Sequence, residues 1–331
     1  MAISKGNNGC GAAQPYSSEP GAGSTIRPVD FDSHPVVRRT YNCSTIQLEE
    51  LARRVASWIN AGVQQAVIFA PAGTGKTQGI RFLNIHLSTQ FPEVGFVEMP
   101  AGSVLGAHGR DRSFLEKHVM ELVLRTGQRS VVLWIDDSQL LDPPAENSLR
   151  RLQDQLKGSG IRLLTVLLGH PRVRILNQKW VPYASDSPAF VPSVPKEEFE
   201  LHGIRSATEL EHCLKTFDND CFPSDSGWSY TRFSLPRAYL NGLRLAAHAG
   251  DLWQVFVDAD RATGMDTTTE VPMLYFARTI EYALIEGSTR DGENMSMDRE
   301  FWERAVLQSG WVEGQGLRNL TRASCRAEAL C

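Results

Sequence analysis

The eight residues from Ala70 to Thr77 are the part of this chain whose types and spacing most clearly predict chemistry. They read Ala-Pro-Ala-Gly-Thr-Gly-Lys-Thr, after an apolar run at 66–69 and before a stretch that can begin a helix. The two glycines allow a tight turn with inward-pointing N–H groups, and a helix that opens near Lys76 adds the positive end of its dipole. This order predicts a phosphate-binding P-loop, with an unusual alanine in its first position.

The residues of this loop could hold a nucleotide together with a divalent cation. Lys76 can reach the β- and γ-phosphates, and the hydroxyl of Thr77 can hold Mg²⁺. ATP with Mg²⁺ is therefore the expected ligand. The predicted binding residues form one continuous run: Pro71, Ala72, Gly73, Thr74, Gly75, Lys76, Thr77 and Gln78.

A second segment supplies the carboxylates that such a site needs. Residues 130–135 form an apolar run that ends in Asp136 and Asp137. Continuous apolar strands are typical of parallel sheets covered on both faces, and ligands bind at the carboxyl ends of their strands. We therefore expect Asp136 to lie beside the P-loop and to hold Mg²⁺ with Thr77. A solvated turn after a strand would also carry two aspartates, but the P-loop upstream favours the metal-binding interpretation.

Length and composition predict one large core plus a smaller domain. The chain has 331 residues, of which 42% are apolar, and no apolar stretch approaches the ~18 residues of a membrane helix. The first residues lack the basic-then-apolar pattern of a secretory signal, and the six cysteines show no C-x-x-C spacing. We expect a cytoplasmic protein with free thiols and without membrane contact.

The net charge of −4 hides an asymmetry between the two parts of the chain. Residues 1–195 carry 20 Lys and Arg against 16 Asp and Glu, whereas residues 196–331 carry 14 against 22. Bulk charge therefore does not predict strong nucleic-acid binding, and any DNA contact must come from local basic segments.

The pattern along the chain predicts an α/β domain followed by a helical one. Four strands alternate with helical stretches and a fifth short strand follows a proline-rich linker, an order that favours a parallel sheet flanked by helices. The strands are expected near 65–70, 95–99, 130–135, 161–168 and 198–201. After residue 206 the pattern is helical and includes one helix from Leu235 to Ala249. The predicted divisions are a disordered arm (1–30), an α/β nucleotide-binding domain (31–205), a helical lid (206–290), and a C-terminal helix with a flexible tail (291–331).

Several of these motifs together resemble the AAA+ ATPases. They are the Walker A loop, the Walker B strand with the following residues 138–140, and the segment 167–171. Within the AAA+ group, residues 32–290 look most similar to the TniB/TnsC regulators of Tn7-like transposons. This resemblance implies that ATP-bound subunits assemble into a ring or helical oligomer on duplex DNA without reading its sequence. It also implies that they join a target-selection protein to the transposase, and that ATP hydrolysis takes the assembly apart.

The resemblance also implies catalytic roles for individual residues. Asp137 stands where these ATPases usually carry a glutamate that polarises the attacking water, and its shorter side chain favours slow hydrolysis. Gln139 could orient the same water. His170 lies near the sensor-one position, and Arg237 is a candidate for the sensor-two arginine of the lid. An arginine from a neighbouring subunit completes such sites, and the candidates here are Arg172 and Arg174.

Further roles concern the adenine and the DNA. Val37 and Arg39 lie in the stretch before the first helix, which the same resemblance implies packs near the adenine. They are therefore candidate adenine contacts. The glycine-rich loop after the second strand would face a pore and contact DNA phosphates. The DNA-contacting candidates are Arg110, Arg112 and Lys117, with Arg150 and Arg151 as a second set. For each of these arginines, a solvated surface position remains an alternative.

Two other functions use the same motifs. A helicase-loader-like ATPase would also combine a P-loop with DNA binding. A nucleotide-gated scaffold would use the P-loop as a switch without binding DNA, and the modest basic content keeps this alternative open.

Overall fold

Five strands form one parallel sheet in the computed structural model, which describes residues 24–101, 113–141, 143–170, 197–262 and 269–314. The spatial order is β2-β3-β4-β1-β5, and each neighbouring pair is parallel. The strands are β1 (Gln65–Phe69), β2 (Val94–Pro100), β3 (Ser130–Asp136), β4 (Arg162–Gly169) and β5 (Glu197–Glu200). The P-loop follows β1 and Asp136 ends β3, so both lie at the carboxyl ends of the parallel strands. Strand β4 separates β1 from β3.

Helices flank this sheet and then form a helical subdomain. They are α1 (Pro35–Arg38), α2 (Ile46–Ala61), α3 (Lys76–Gln90), α4 (Ser113–Thr126), α5 (Pro143–Gly158), α6 (Ala207–Asn219), α7 (Tyr230–Ser234), α8 (Pro236–Leu240), α9 (Ala249–Ala262), α10 (Met273–Thr289) and α11 (Arg299–Gln308). The predicted fold class, a parallel α/β sheet flanked by helices and followed by a helical region, is confirmed.

The interior strand β3 explains why the apolar run in the sequence had no alternation. Val132 and Trp134 pack on the side of α2 and α3, whereas Val131 and Leu133 pack on the side of α4 and α5. Both faces of the strand are therefore buried, as expected for a strand inside a parallel sheet. The indole N–H of Trp134 donates to Asn84 Oδ1 at 2.7 Å, which ties β3 to the P-loop helix α3.

The prediction of a single helix from Leu235 to Ala249 is wrong. Helix α8 ends at Leu240, Gly242 has φ +96°, and a 3₁₀ turn at Leu245–His248 precedes α9. The carboxylate of Asp218 accepts hydrogen bonds from the N–H groups of Leu245 (3.0 Å) and Ala246 (2.9 Å). These bonds satisfy donors that a continuous helix would have paired internally, so the break is stabilised by a residue distant in sequence.

Residues 24–45, here called the strap, lie mainly against the helical subdomain. The guanidinium of Arg27 donates to the carbonyls of Phe233 (2.7 Å) and Ser234 (3.0 Å) at the end of α7. Val36 is 1% exposed and belongs to the same apolar core as the helices. The strap then ends at Thr45, whose hydroxyl accepts from the Leu48 N–H at 3.0 Å and caps α2. The strap therefore connects the helical subdomain to the α/β layer.

His34 anchors the strap in an aromatic cage. Its ring is fully buried, stacks on Phe233 with centroids 4.4 Å apart, and meets Tyr230 edge-on. Nδ1 accepts from the Val36 N–H, which fixes the neutral tautomer. Burial, reinforced by the positive charge of Arg27, lowers the pKa of His34 from 6.5 to about 4.

We expect this histidine to make the protein sensitive to mild acid. The unfolded chain binds a proton near pH 6.5 and the folded chain only near pH 4, so stability is lost as pH falls through that window. The difference corresponds to about 3 kcal/mol. Urea unfolding at several pH values should show this loss in the native chain and not in His34→Phe. An identical pH dependence in the two proteins would contradict the prediction.

Candidate nucleotide-binding site

The P-loop follows the carboxyl end of β1, an interior strand that lies between β4 and β5. The Ala70 N–H donates to Gly169 O at the end of β4, and the Leu201 N–H, just after β5, donates to Phe69 O. Gly73 and Gly75 have φ of +79° and +87°, the left-handed region in which side chains are strained. The loop thus turns directly into α3, whose first-turn N–H groups have no partner within the helix. This geometry is a concave set of donors suited to an anion.

Lys76 lies inside this loop. Its ammonium donates to the carbonyls of Ala70 (3.3 Å) and Pro71 (3.4 Å), both in the loop itself. These bonds are long for a charged donor, so a phosphate oxygen could replace them at little cost. Thr74 completes the turn by donating to Pro71 O at 2.8 Å.

Two oxygen groups meet at the predicted metal position. The Thr77 hydroxyl lies 3.5 Å from Asp136 Oδ2, although the two residues belong to α3 and β3. The other oxygen of Asp136 accepts from the Asp137 N–H at 2.8 Å. A hydroxyl and a carboxylate fit Mg²⁺, which uses few protein ligands and completes its shell with phosphate oxygens and water. Among the described residues no group of three or more His, Cys, Asp or Glu side chains gathers to hold a metal by itself.

The neighbouring polar residues surround the same edge. Asp137 is exposed and has φ +54°, and its carboxylate accepts from the Gln139 side-chain amide at 2.9 Å. His170 follows β4 directly and is half-buried, between the strands that carry the P-loop and Asp136. The chain therefore brings the predicted water-activating residues and the predicted sensor-one residue, His170, to one end of the sheet.

A cleft of ≈330 Å³ opens beside the loop. One wall is the P-loop and the other walls are the strap, the end of β5 and the start of α10. The lining residues outside the P-loop and α3 are Arg39, Tyr41, Cys43, Thr45, Leu48, Leu201, His202, Met273, Leu274, Ala277 and Glu281.

Helix α10 reaches the P-loop because a backbone junction holds its start. Ile204 and Val271 exchange two N–H···O bonds of 2.8 Å, and a Cβ on Gly203 would lie 2.4 Å from Val271 O, so only glycine fits there. Beyond this junction, the Leu274 N–H donates to Gly73 O at 3.0 Å. The helical subdomain thus contacts the phosphate loop directly.

Not all predicted nucleotide-binding residues lie at this cleft. Arg39 lines it, whereas Val37 is half-buried and is not among the lining residues. Arg237 is exposed at the start of α8, and its backbone N–H donates to Asp291 Oδ2. The helix that contacts the P-loop is α10 instead, through the Leu274 N–H, and helix α8 ends at Leu240.

The other predicted residues lie elsewhere. Lys117 is exposed on α4 and Arg151 on α5, two helices that cover the same face of the sheet, and Arg150 is half-buried beside Arg151. The remaining four lie outside the described residues: Arg110, Arg112, Arg172 and Arg174.

The sequence did not point to three polar cleft residues, namely Tyr41, His202 and Glu281. Tyr41 and Glu281 are 240 positions apart and become neighbours only when the strap docks on α10. His202 directly follows Leu201, so its place after the fifth predicted strand was a signal that could have been used.

Comparisons with known proteins add little to this geometry. No family model and no curated protein matches the chain. Aeropyrum pernix Orc1 in complex with DNA is 14% identical over 82% of this chain and 68% of its own, with a TM-score of 0.43. Rif2 in complex with the C-terminal domain of Rap1 is 11% identical over 76% and 83%, with a TM-score of 0.38. A variant of Thermotoga maritima RuvB is 14% identical over 76% and 71%, with a TM-score of 0.33. Likenesses this distant assign neither a family nor an activity.

In the described part of the chain, no helix has both the length and the apolar character needed to cross a membrane.

Proposed function

We propose that this protein is an ATPase of the AAA+ type that uses Mg²⁺ and ATP. The observation that carries the proposal is the convergence of the Thr77 hydroxyl and the Asp136 carboxylate, 3.5 Å apart, beside a P-loop that opens α3. The insertion of β4 between the P-loop strand and the Asp136 strand supports the AAA+ assignment, as does the helical subdomain at the cleft.

Each residue of the site would have a separable role. The loop N–H groups and Lys76 would bind the β- and γ-phosphates, and Thr77 with Asp136 would hold Mg²⁺. When bound, Mg²⁺ neutralises charge that develops on the phosphate oxygens. Asp137 would accept a proton from the attacking water. The hydrogen bond from the Gln139 side-chain amide would orient the Asp137 carboxylate.

We expect slow turnover, below about ten per second. Asp137 is one methylene shorter than the usual glutamate, and its carboxylate is also tied to Gln139. Phosphate release at saturating Mg²⁺ and ATP should be slow with or without duplex DNA, and Asp137→Asn should reduce it about a hundredfold. Asp137→Glu serves as the matched variant and should be faster than the native chain. A native rate above ten per second would refute the argument.

The finer proposal is that the ATP-bound protein oligomerises on duplex DNA and regulates transposition. It would link a target-selection protein to the transposase and disassemble when ATP is hydrolysed. The support is the resemblance in the Walker motifs and the exposed basic residues Lys117 and Arg151. Phosphate contacts of this kind carry no sequence information and weaken with salt.

Electron microscopy of the pure protein with duplex DNA tests this proposal. With a slowly hydrolysed ATP analogue, the native protein should form rings or filaments on the DNA. It should form none without the analogue, and Lys76→Ala should form none with it. Absence of any assembly under all nucleotide conditions would favour the nucleotide-gated scaffold. Assembly that captures a purified replicative helicase but not a transposase would favour the helicase loader.

A further inference from the structure

The cleft beside the P-loop has two ends of different character. The loop end is lined by Gly73, Thr74, Gly75 and Gln78, next to Lys76 in the same loop, and backbone N–H groups and an ammonium suit phosphates. The other end is walled by the strap and by the face of α10 that carries Leu274, Ala277 and Glu281. A nucleotide whose phosphates lie in the P-loop would therefore place its nucleoside part between the strap and α10.

Glu281 is the acidic residue of that second wall. The residue is 8% exposed, yet both carboxylate oxygens have partners from the strap. The Tyr41 hydroxyl donates to Oε1 at 3.1 Å, and Arg39 Nε lies 3.1 Å from Oε2. The carboxylate thus joins the strap to the lid helix that also contacts Gly73 through Leu274.

Stability alone does not explain a carboxylate at this position. Burial raises the pKa of Glu281 although Tyr41 and Arg39 both act to lower it, so desolvation outweighs the partners. Buried ion pairs of this kind are often no more stable than well-packed apolar side chains. Burial and the nearby Glu281 charge also raise the pKa of Tyr41.

Arg39 shows that the strap is held in a demanding conformation. Its backbone has φ +55°, which is uncommon for any residue other than glycine. Its N–H caps the end of α1 by donating to Pro35 O and Val36 O. The side chain is 75% exposed at the cleft and uses Nε for Glu281. A guanidinium carries further N–H donors beside Nε, so the Arg39 side chain can also donate to a second acceptor in the cleft that it lines. Backbone strain of this sort is concentrated at ligand sites.

We infer that Glu281 is a positioning residue for the nucleoside end of a bound nucleotide. It acts through Arg39 and Tyr41, which it fixes across the cleft, and so divides nucleotide recognition between the α/β domain and the helical subdomain. This inference rests on the proposed nucleotide binding.

Calorimetric titration with two ligands tests it. One ligand is a slowly hydrolysed ATP analogue with Mg²⁺, and the other is tripolyphosphate with Mg²⁺, which has no nucleoside. Glu281→Gln keeps an acceptor for Tyr41 but loses the charge that pairs with Arg39. It should weaken the ATP analogue about tenfold and leave tripolyphosphate unchanged. Glu286→Gln is the matched control, since Glu286 lies on the same helix in a pair with Arg290 and away from the cleft.

A double-mutant cycle tests the route through Arg39. If Glu281 acts by positioning Arg39, adding Glu281→Gln to Arg39→Ala should weaken the ATP analogue no further. Melting temperatures of all variants show that each is folded at the titration temperature. Full additivity in the cycle would overturn the positioning role.

Other outcomes separate this inference from the proposed function. If the native chain binds neither ligand, the proposed function fails and the inference fails with it. If the native chain binds both and Glu281→Gln binds the ATP analogue equally well, only the inference is overturned. Equal losses for the ATP analogue and tripolyphosphate would also overturn it, because they would indicate a general structural defect.

Discussion

Replacement of Lys76 by alanine is expected to reduce ATP hydrolysis at least about a hundredfold. Lys76 is the only Lys or Arg in residues 70–77, and its ammonium lies against the loop carbonyls of Ala70 and Pro71. A phosphate would replace these weak contacts with charge-assisted ones, so the loss falls on the ligand-bound state. Affinity for ATP should fall together with the rate.

The fold should survive this change. Two long hydrogen bonds to the chain's own carbonyls contribute little net stability, so the melting temperature of Lys76→Ala should stay close to that of the native chain. Lys157→Ala is the control, because Lys157 is exposed at the end of α5 on a different element. Hydrolysis that persists in Lys76→Ala at the native rate would show that the phosphates do not bind in this loop.

The sheet could be predicted from the sequence because its signals are local. Parallel strands buried on both faces give uninterrupted apolar runs, and β3 shows why, with Val131 and Val132 in separate cores on opposite faces. The five strands accordingly lie within about a residue of their expected positions. The order of the strands in the sheet, by contrast, has no local signal in the sequence. Nothing in the run 162–169 says that it lies between the P-loop strand and the Asp136 strand.

Elements that depend on distant partners could not be predicted. The helix expected from Leu235 to Ala249 has adequate local periodicity, but Asp218 stabilises a break by accepting two backbone hydrogen bonds. The strap is a similar case. His34 contributes no local pattern, and its cage of Tyr230 and Phe233 comes from nearly 200 residues later in the chain.

The same division applies to the candidate site. The phosphate half is one contiguous loop, so residue types and spacing were enough to predict its geometry. The part of the cleft proposed to hold the nucleoside is assembled from the strap and α10, and Glu281 stands in an amphipathic helix where a charged residue would ordinarily be taken as solvent-facing. Arg237 was predicted from the resemblance of its helix to a lid helix with a sensor-two arginine, whereas the helix that contacts the P-loop in this structure is α10.

Replacement of Asp136 by asparagine should separate nucleotide binding from hydrolysis. Asparagine has the same shape and keeps an oxygen that can accept the Asp137 N–H, as Oδ1 does now at 2.8 Å. It removes the negative charge that faces the Thr77 hydroxyl at 3.5 Å. The turn after β3 should therefore remain intact while the proposed Mg²⁺ position loses the carboxylate that contacts Thr77.

Hydrolysis by Asp136→Asn should fall at least about a hundredfold at physiological Mg²⁺. Binding of the ATP analogue in the presence of a chelator should match that of the native chain, because Lys76 and the loop N–H groups are unchanged. Mg²⁺ should strengthen binding to the native chain and have a much smaller effect on the variant. Mg²⁺ titrations of both proteins, followed by calorimetry, measure this difference. An equal Mg²⁺ response in the two would place the cation away from Asp136, and then Thr77 and Asp136 would be joined by their hydrogen bond alone.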